Sequence, residues 1–357
     1  VTAPYSPLGQ NTHIASKNAT CMALPTNQPI APSRNQGDLM RITNQEQPFH
    51  PSYHYAFITD AEEGLIVTNV DTLADGDPQN NFLTRAATWN PRGLLNGARH
   101  ITLGGKYAYV STPTGLVIID IDKPLEPQHV ATVPMTDARA SALQFRYLFV
   151  TDQTGLRVID ITTPTKPILQ KVSVPLKDAR KLYVARTFAY VAGGSEGLAI
   201  IDVEKPTEPR LYQLFTAGGQ MNDVQDVVVG STNASLFAYV ADGKNGLKVV
   251  QLTAPDTQPR FYGFSPDPKP YLIAWRKTQS AALGLSKGLD RDRAVDETGG
   301  QIAVFGRIGS RPFIAKEMER LYMRPDGRIW TVTDDSGPND FVTGRGKLAA
   351  TADQRTK

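Results

Sequence analysis

The chain of 357 residues has one cysteine, Cys21, with five histidines and three tryptophans. A single thiol excludes an internal disulfide framework, a thiolate zinc cluster and a CxxCH haem attachment within this chain. No apolar run reaches the roughly 18 residues of a membrane-spanning helix, so no membrane span is expected. Lys/Arg-rich blocks are missing and the formal net charge is only +3, which gives nucleic acid no footing. There is no G-x-S-x-G elbow, and the glycine pairs that begin at 104, 193 and 218 are not followed by helices. Nucleophilic catalysis and phosphate cradling therefore find no motif to stand on. Sustained 3.6-residue periodicity with caps is also absent, which predicts very little helix.

What the sequence does contain is repetition. "GLVIIDIDKPLEP" starts at Gly115, "GLRVIDITTPTKP" at Gly155 and "GLAIIDVEKPTEP" at Gly197. An aromatic strand precedes each Gly-Leu pair: "YAFITD" before Gly64, "YAYVST" before Gly115, "YLFVTD" before Gly155, "FAYVAG" before Gly197 and "FAYVAD" before Gly246. The tightest copies recur about every 40 residues, with several short strands and turn signals in each, which is the pattern of propeller blades. One copy divides into four strands, 98–105, 106–112, 116–121 and 127–134. Runs such as LVIID are apolar on both faces, as a strand covered on both sides must be. The glycine before leucine suits a turn with positive φ, and the D-x-x-x-P tail suits a turn whose proline ends the ladder.

The phrase G-L-x-[VI]-[VI]-D-[VI]-x-x-P-x-x-P, preceded by [FY]-x-[YF]-[VI], resembles the LVIVD-repeat family over about Tyr53 to Pro259. The resemblance implies an all-β propeller of four-stranded blades in a surface or secreted protein of a bacterium or archaeon. Seven blades are expected, with six as the alternative. "GGQIAVFGRIGSRP" (299–312) reads as a degraded sixth copy, and "ERLYMRPDGRIWTVTDD" (319–335) as a first strand plus a second. The ring would then be closed by N- and C-terminal segments, with "DLMRIT" (38–43) supplying a missing strand. Residues 1–36 read as an N-terminal arm, 37–342 as the propeller and 343–357 as a C-terminal tail. The Thr/Pro/Asn-rich opening is compatible with a cleaved leader, and the sparse cysteine and the sequons at Asn18 and Asn233 with export.

The strongest positional signal is at the start of the first strands: "GAR" to Arg99, "DAR" to Arg139 and "DAR" to Arg180, with Asp137 and Asp178 just before two of them and His100 beside Arg99. In a propeller the first strand lines the channel, so these residues would gather at one mouth. Two readings are open: an anion- or partner-binding mouth, or a brace in which each arginine pairs with an aspartate of the neighbouring blade. The recurrence of D-x-R with the repeat favours the brace. Gln225 and Glu319 are expected at the equivalent positions of later blades.

Ca²⁺ is the one cofactor considered, on loop carboxylates Asp71, Asp75 and Asp77, with Asp290, Asp292 and Asp296 as a second group. Neither segment has the full EF-hand loop, so solvated acidic loops are the preferred reading. His50 and His54 are too far apart on a strand to share an ion. The repeated Tyr and Phe read as packing between blades. Loops 71–97 and 279–299, with the arginine mouth, are the expected contact surfaces.

The function expected is a non-enzymatic exported module that binds or assembles proteins at the cell surface, with a periplasmic, extracellular or surface location. A structural accessory to an extracellular multihaem cytochrome assembly is the second reading. A channel-mouth hydrolase or lyase is the third.

Overall fold

The computed structural model describes residues 14–25, 51–70, 83–232, 235–255 and 265–286, with the strand pair 307–308 and 311–312. Two compact units are distinguished. One comprises Val1–Ala15, Val70–Thr84 and Lys287–Lys357, the other Ser16–Asn69 and Arg85–Ser286. In the first, the described structure is chiefly an antiparallel pair, Arg307–Ile308 with Arg311–Pro312.

The second unit is built from five antiparallel sheets taken in chain order, here called blades I to V. Blade I holds β1 (Ala19–Ala23), β2 (Tyr55–Asp60), β3 (Gly64–Asn69) and β4 (Thr84–Trp89). Blade II holds β5 (His100–Gly104), β6 (Tyr107–Thr112), β7 (Gly115–Asp120) and β8 (Gln128–Pro134). Blade III holds β9 (Ala140–Gln144), β10 (Tyr147–Asp152) and β11 (Gly155–Asp160), and its outer strand is broken into β12 (Ile168–Leu169) and β13 (Val174–Pro175). Blade IV holds β14 (Leu182–Ala185), β15 (Phe188–Ala192), β16 (Leu198–Asp202) and β17 (Arg210–Phe215). Blade V holds β18 (Asp226–Thr232), β19 (Ser235–Ala241), β20 (Leu247–Thr253) and β21 (Tyr271–Arg276). Each pairs its strands in simple sequence order, and the only helices among the described residues are two 3-10 turns, Pro51–His54 and Pro91–Gly93. His54 thus ends a 3-10 turn that leads into β2, and His50 lies outside the described residues.

The all-β, four-stranded expectation holds, and the boundaries read for blade II fall within two residues of those observed. Ala19–Ala23, which the sequence reading leaves inside an arm, is the innermost strand of blade I. It pairs antiparallel with β2 across a long intervening stretch of chain. The expected closing strand 38–43, the sixth copy beyond its short hairpin, segment 319–335 and the tail 343–357 lie outside the described residues, and so does the total blade count.

Burial explains the greasy third strands. Leu116 and Ile118 of β7 pack with Leu148, Val150 and Ile159 of blade III, while Val117 and Ile119 pack with Phe57, Leu65 and Val67 of blade I. The same division recurs in blade IV: Ala199 and Ile201 face blade III, and Leu198 and Ile200 face blade V. Every strand residue of these runs therefore loses water, at roughly 25 cal/mol per Å² of apolar surface. On the aromatic second strands Phe57, Tyr109, Phe149 and Tyr190 are fully buried, as read, whereas Tyr239 at the equivalent place in blade V is 41% exposed.

The motif aspartate has a local duty. Asp120, Asp160 and Asp202 each accept the backbone N–H two residues on, from Asp122, Thr162 and Glu204, and so open the turn that the proline then fixes. Their second oxygens meet Lys106 at 2.8 Å, Arg146 at 3.9 Å and Arg210 at 2.7 Å. Gly115 and Gly155 have φ of +145° and +136°, and a Cβ on either would overlap the carbonyl oxygen of Val133 or Val174 on the outer strand. Glycine is required there by both conformation and space.

Candidate functional site

The first strands β1, β5, β9, β14 and β18 lie side by side from blade to blade. Equivalent residues at their beginnings therefore come together, as the D-x-R spacing anticipated. They form one continuous ladder of ion pairs. Arg99 meets Asp137 at 2.6 Å, and Asp137 also accepts from Arg139 Nε at 3.0 Å. Arg139 reaches into blade IV, donating to Asp178 at 2.7 Å and to the carbonyl of Ala179 at 2.9 Å. Asp178 also holds Arg180 at 2.7 Å, and Arg180 reaches Asp223 of blade V at 3.4 Å. Asp223 finally accepts from Gln225 Nε2 at 2.6 Å.

Each of the three aspartates serves two side-chain donors, one on its own blade and one on the blade before. The arginines and acids balance, three against three, so the cluster presents no excess positive charge. Burial works against the Asp178 carboxylate, but the bonds from Arg180 and Arg139 outweigh it and hold its pKa below the ordinary carboxylate value. The backbone is shaped for the ladder too. Asp137 adopts φ +62°, and Gly194 and Gly243, both at positive φ, leave the space that the carboxylates of Asp178 and Asp223 fill.

Both ends of the ladder are legible in the structure. In blade II, Gly97 with φ +73° stands where the aspartate would be. Ahead of it, Thr20 of β1 takes the arginine's part, its hydroxyl donating to the carbonyl of Ala98 at 2.9 Å, as Arg139 does to Ala179. Beyond blade V, Ala282 bridges Gly243 just as Val224 bridges Gly194. Leu283 therefore stands where Gln225 stands one blade earlier, and Ala281 where Asp223 does, so no charge continues the ladder there. Glu319, expected at an equivalent position of a later blade, lies outside the described residues, and Ala282, within the anticipated loop 279–299, is the residue that makes the bridge to Gly243.

His100 occupies the next position along β5. Its Nδ1 accepts the backbone N–H of Ser141 in blade III at 3.3 Å, which places the neutral ring's proton on Nε2. Burial, aided by the charge of Lys181, lowers its pKa to about 4, so the ring is neutral at physiological pH. Lys181 itself donates to Asp226 at 2.9 Å, and Asp226 also accepts the N–H of Leu285 at 2.8 Å. This inner layer, like the ladder, joins consecutive blades.

The six mouth residues named from sequence thus come together. Sequence reading missed Asp223, although D-x-Q repeats the D-x-R spacing, and missed Thr20, which no repeat motif marks. Asp71, Asp75, Asp77, Asp290, Asp292 and Asp296 lie outside the described residues. Among the described residues no three His, Cys, Asp or Glu side chains are grouped to hold a metal ion.

Comparison with known proteins follows the blades. A model of the LVIVD repeat matches residues 97–133, 138–173, 177–216 and 223–256, which correspond to blades II to V. A solved Lactobacillus plantarum protein aligns over 74% of this chain and 73% of its own, with 13% identity and a TM-score of 0.52. The periplasmic gluconolactonase PpgL of Pseudomonas aeruginosa aligns over 65% of this chain and 71% of its own, with 14% identity and a TM-score of 0.48. The β-propeller domain of Myceliophteria thermophila Cps50 (Swd1) aligns over 74% of each chain, with 10% identity and a TM-score of 0.45. No curated protein matches the chain significantly.

Proposed function

Because the chain is an LVIVD-repeat protein with a β-propeller fold, we propose that it is a non-enzymatic binding or assembly module that works at the cell surface. The observation that carries this reading is the ladder from Arg99 to Asp223, in which each charged group answers another within the chain. A hydrolase or lyase at this place would need a carboxylate or imidazole directed at substrate. Here the acids are held by guanidiniums, and His100 Nδ1 is engaged by the Ser141 amide. Such a cluster fixes blades in register and leaves contact to loops and exposed turns.

Purification of the intact protein from its native source tests this, with the eluate read by mass spectrometry and visible absorbance. A stoichiometric protein partner in an envelope or extracellular fraction is expected. Haem absorbance in the eluate would shift the reading to an accessory of a multihaem cytochrome assembly. A partner-free protein confined to the cytoplasm would overturn both. Turnover of a lactone or ester that disappears in Arg139→Ala would restore the enzyme reading.

A further inference from the structure

The hairpin loops between first and second strands of blades II, III and IV have two residues each: Gly105-Lys106, Phe145-Arg146 and Arg186-Thr187. The first residue of each is left-handed, with φ of +57°, +54° and +56°. Glycine meets that demand without steric cost, whereas a phenylalanine there meets crowding between its Cβ and the backbone. Phe145 is also 93% exposed, more than any other large apolar side chain among the described residues. It belongs to none of the buried clusters between blades. Neither the turn nor the core asks for an aromatic ring at this position.

The ground beneath the ring is rigid. Gln144 Nε2 donates to the carbonyl of Arg186 at 2.8 Å, tying the loops of blades III and IV together. Arg146 lies over the Tyr147 ring, 5.0 Å from its centre, and donates to its hydroxyl at 2.8 Å. Lys106 lies over Tyr107 in the same way, at 5.4 Å. Both cations also have carboxylate partners, Lys106 with Asp120 and Arg146 with Asp160.

We propose that Phe145 is the anchor of a protein-docking surface formed by these loops, and that its occupant is a partner protein offering an apolar pocket with a polar rim. An aromatic side chain on a pre-ordered backbone loses little freedom on binding, which is the condition for a residue that dominates an interface. The collar of paired charges selects among occupants. A polyanion or anionic lipid gains most from unpaired cations, whose binding releases counterions, and here Lys106 and Arg146 of these loops are already paired with Asp120 and Asp160. One ring also buries too little apolar area to hold a protein on a bilayer. A protein pocket fits both observations. The inference rests on the assembly reading above and names the face that carries it.

The test replaces Phe145 with a photo-crosslinking benzoyl-phenylalanine in the native host, with the exposed Leu125 and Ile168 substituted likewise as controls. A single protein adduct from position 145, and none of it from the controls, is expected. Phe145→Asn, a residue that tolerates the left-handed turn, is expected to weaken recovery of that same partner by about tenfold or more. Its melting temperature should be unchanged or raised, so misfolding would not account for the loss. Equal labelling from all three positions, labelling of lipid alone, or full retention of the partner by Phe145→Asn would overturn the proposal. In the last case the copurified partner would leave the assembly reading standing and only the docking face would fall.

Discussion

At the scale of single residues, Arg139 is the pivot of the ladder, since it touches two aspartates and a carbonyl on two blades. Arg139→Ala is expected to destabilise the fold by about 2 kcal/mol, because three charge-assisted bonds go and a carbonyl loses its donor. Arg139→Lys should recover only part of this, as one ammonium cannot span the same acceptors. Urea unfolding of the two variants checks both statements. His100 gives a pH signature. Its pKa is about 4 in the fold against 6.5 when free, so the unfolded chain binds the proton first as pH falls. Stability is therefore whole above 6.5 and declines as pH drops toward 4. His100→Asn, which keeps an acceptor for the Ser141 amide, should flatten that part of the profile in thermal melts. The arginines were legible because spacing repeats. Their pairing with aspartates of the neighbouring blade was legible for the same reason, whereas the ends of the ladder were not, because Thr20 and Ala281 carry no residue of the repeat.

At the scale of elements, the third strand and its flanking turns carry most of the specification. The Gly-Leu pair, the apolar run and the aspartate turn are contiguous, so their periodicity shows them in the sequence. Gly155→Ala combines a forbidden φ with overlap on the Val174 carbonyl, whereas Gly218, at φ +67°, has open space around it. Gly155→Ala is expected to cost about 3 kcal/mol or more and Gly218→Ala about 1 kcal/mol, by urea unfolding. Equal costs would show that space at the outer strand does not matter. Outer strands were harder to read. In blade III that strand is broken into β12 and β13, whereas β8 and β17, which follow the same proline clip in blades II and IV, run unbroken. The start of blade I was missed for another reason: β1 lies far from β2 in sequence and has none of the repeat's residues.

For the whole molecule, the attachment of β1 depends on Asp60. Its carboxylate accepts from the Ser16 hydroxyl and from the backbone N–H groups of Asn18, Glu62 and Glu63. Burial opposes ionisation, yet these bonds prevail and depress the pKa well below the usual range. Asp60→Ala is expected to cost about 3 kcal/mol, since four donors lose one charged acceptor together. Hydrogen exchange should then quicken across Ala19–Ala23 before it changes in blades III to V. Uniform acceleration through all blades would mean that β1 is no separate unit of stability. The repeat thus reports the stack of blades well and reports its first strand poorly, since that strand is held by bonds particular to one place.

The shared aspartates also bear on how such a protein tolerates sequence change. An acid that answers two donors is not stranded when one of them is replaced, so a rung can be lost without leaving a lone buried charge. The outermost positions have already gone that way: Gly97 in place of an acid, and Gln225 in place of a base. A chain of doubly held carboxylates can therefore shorten from its ends while its middle, from Asp137 to Asp178, keeps the blades aligned.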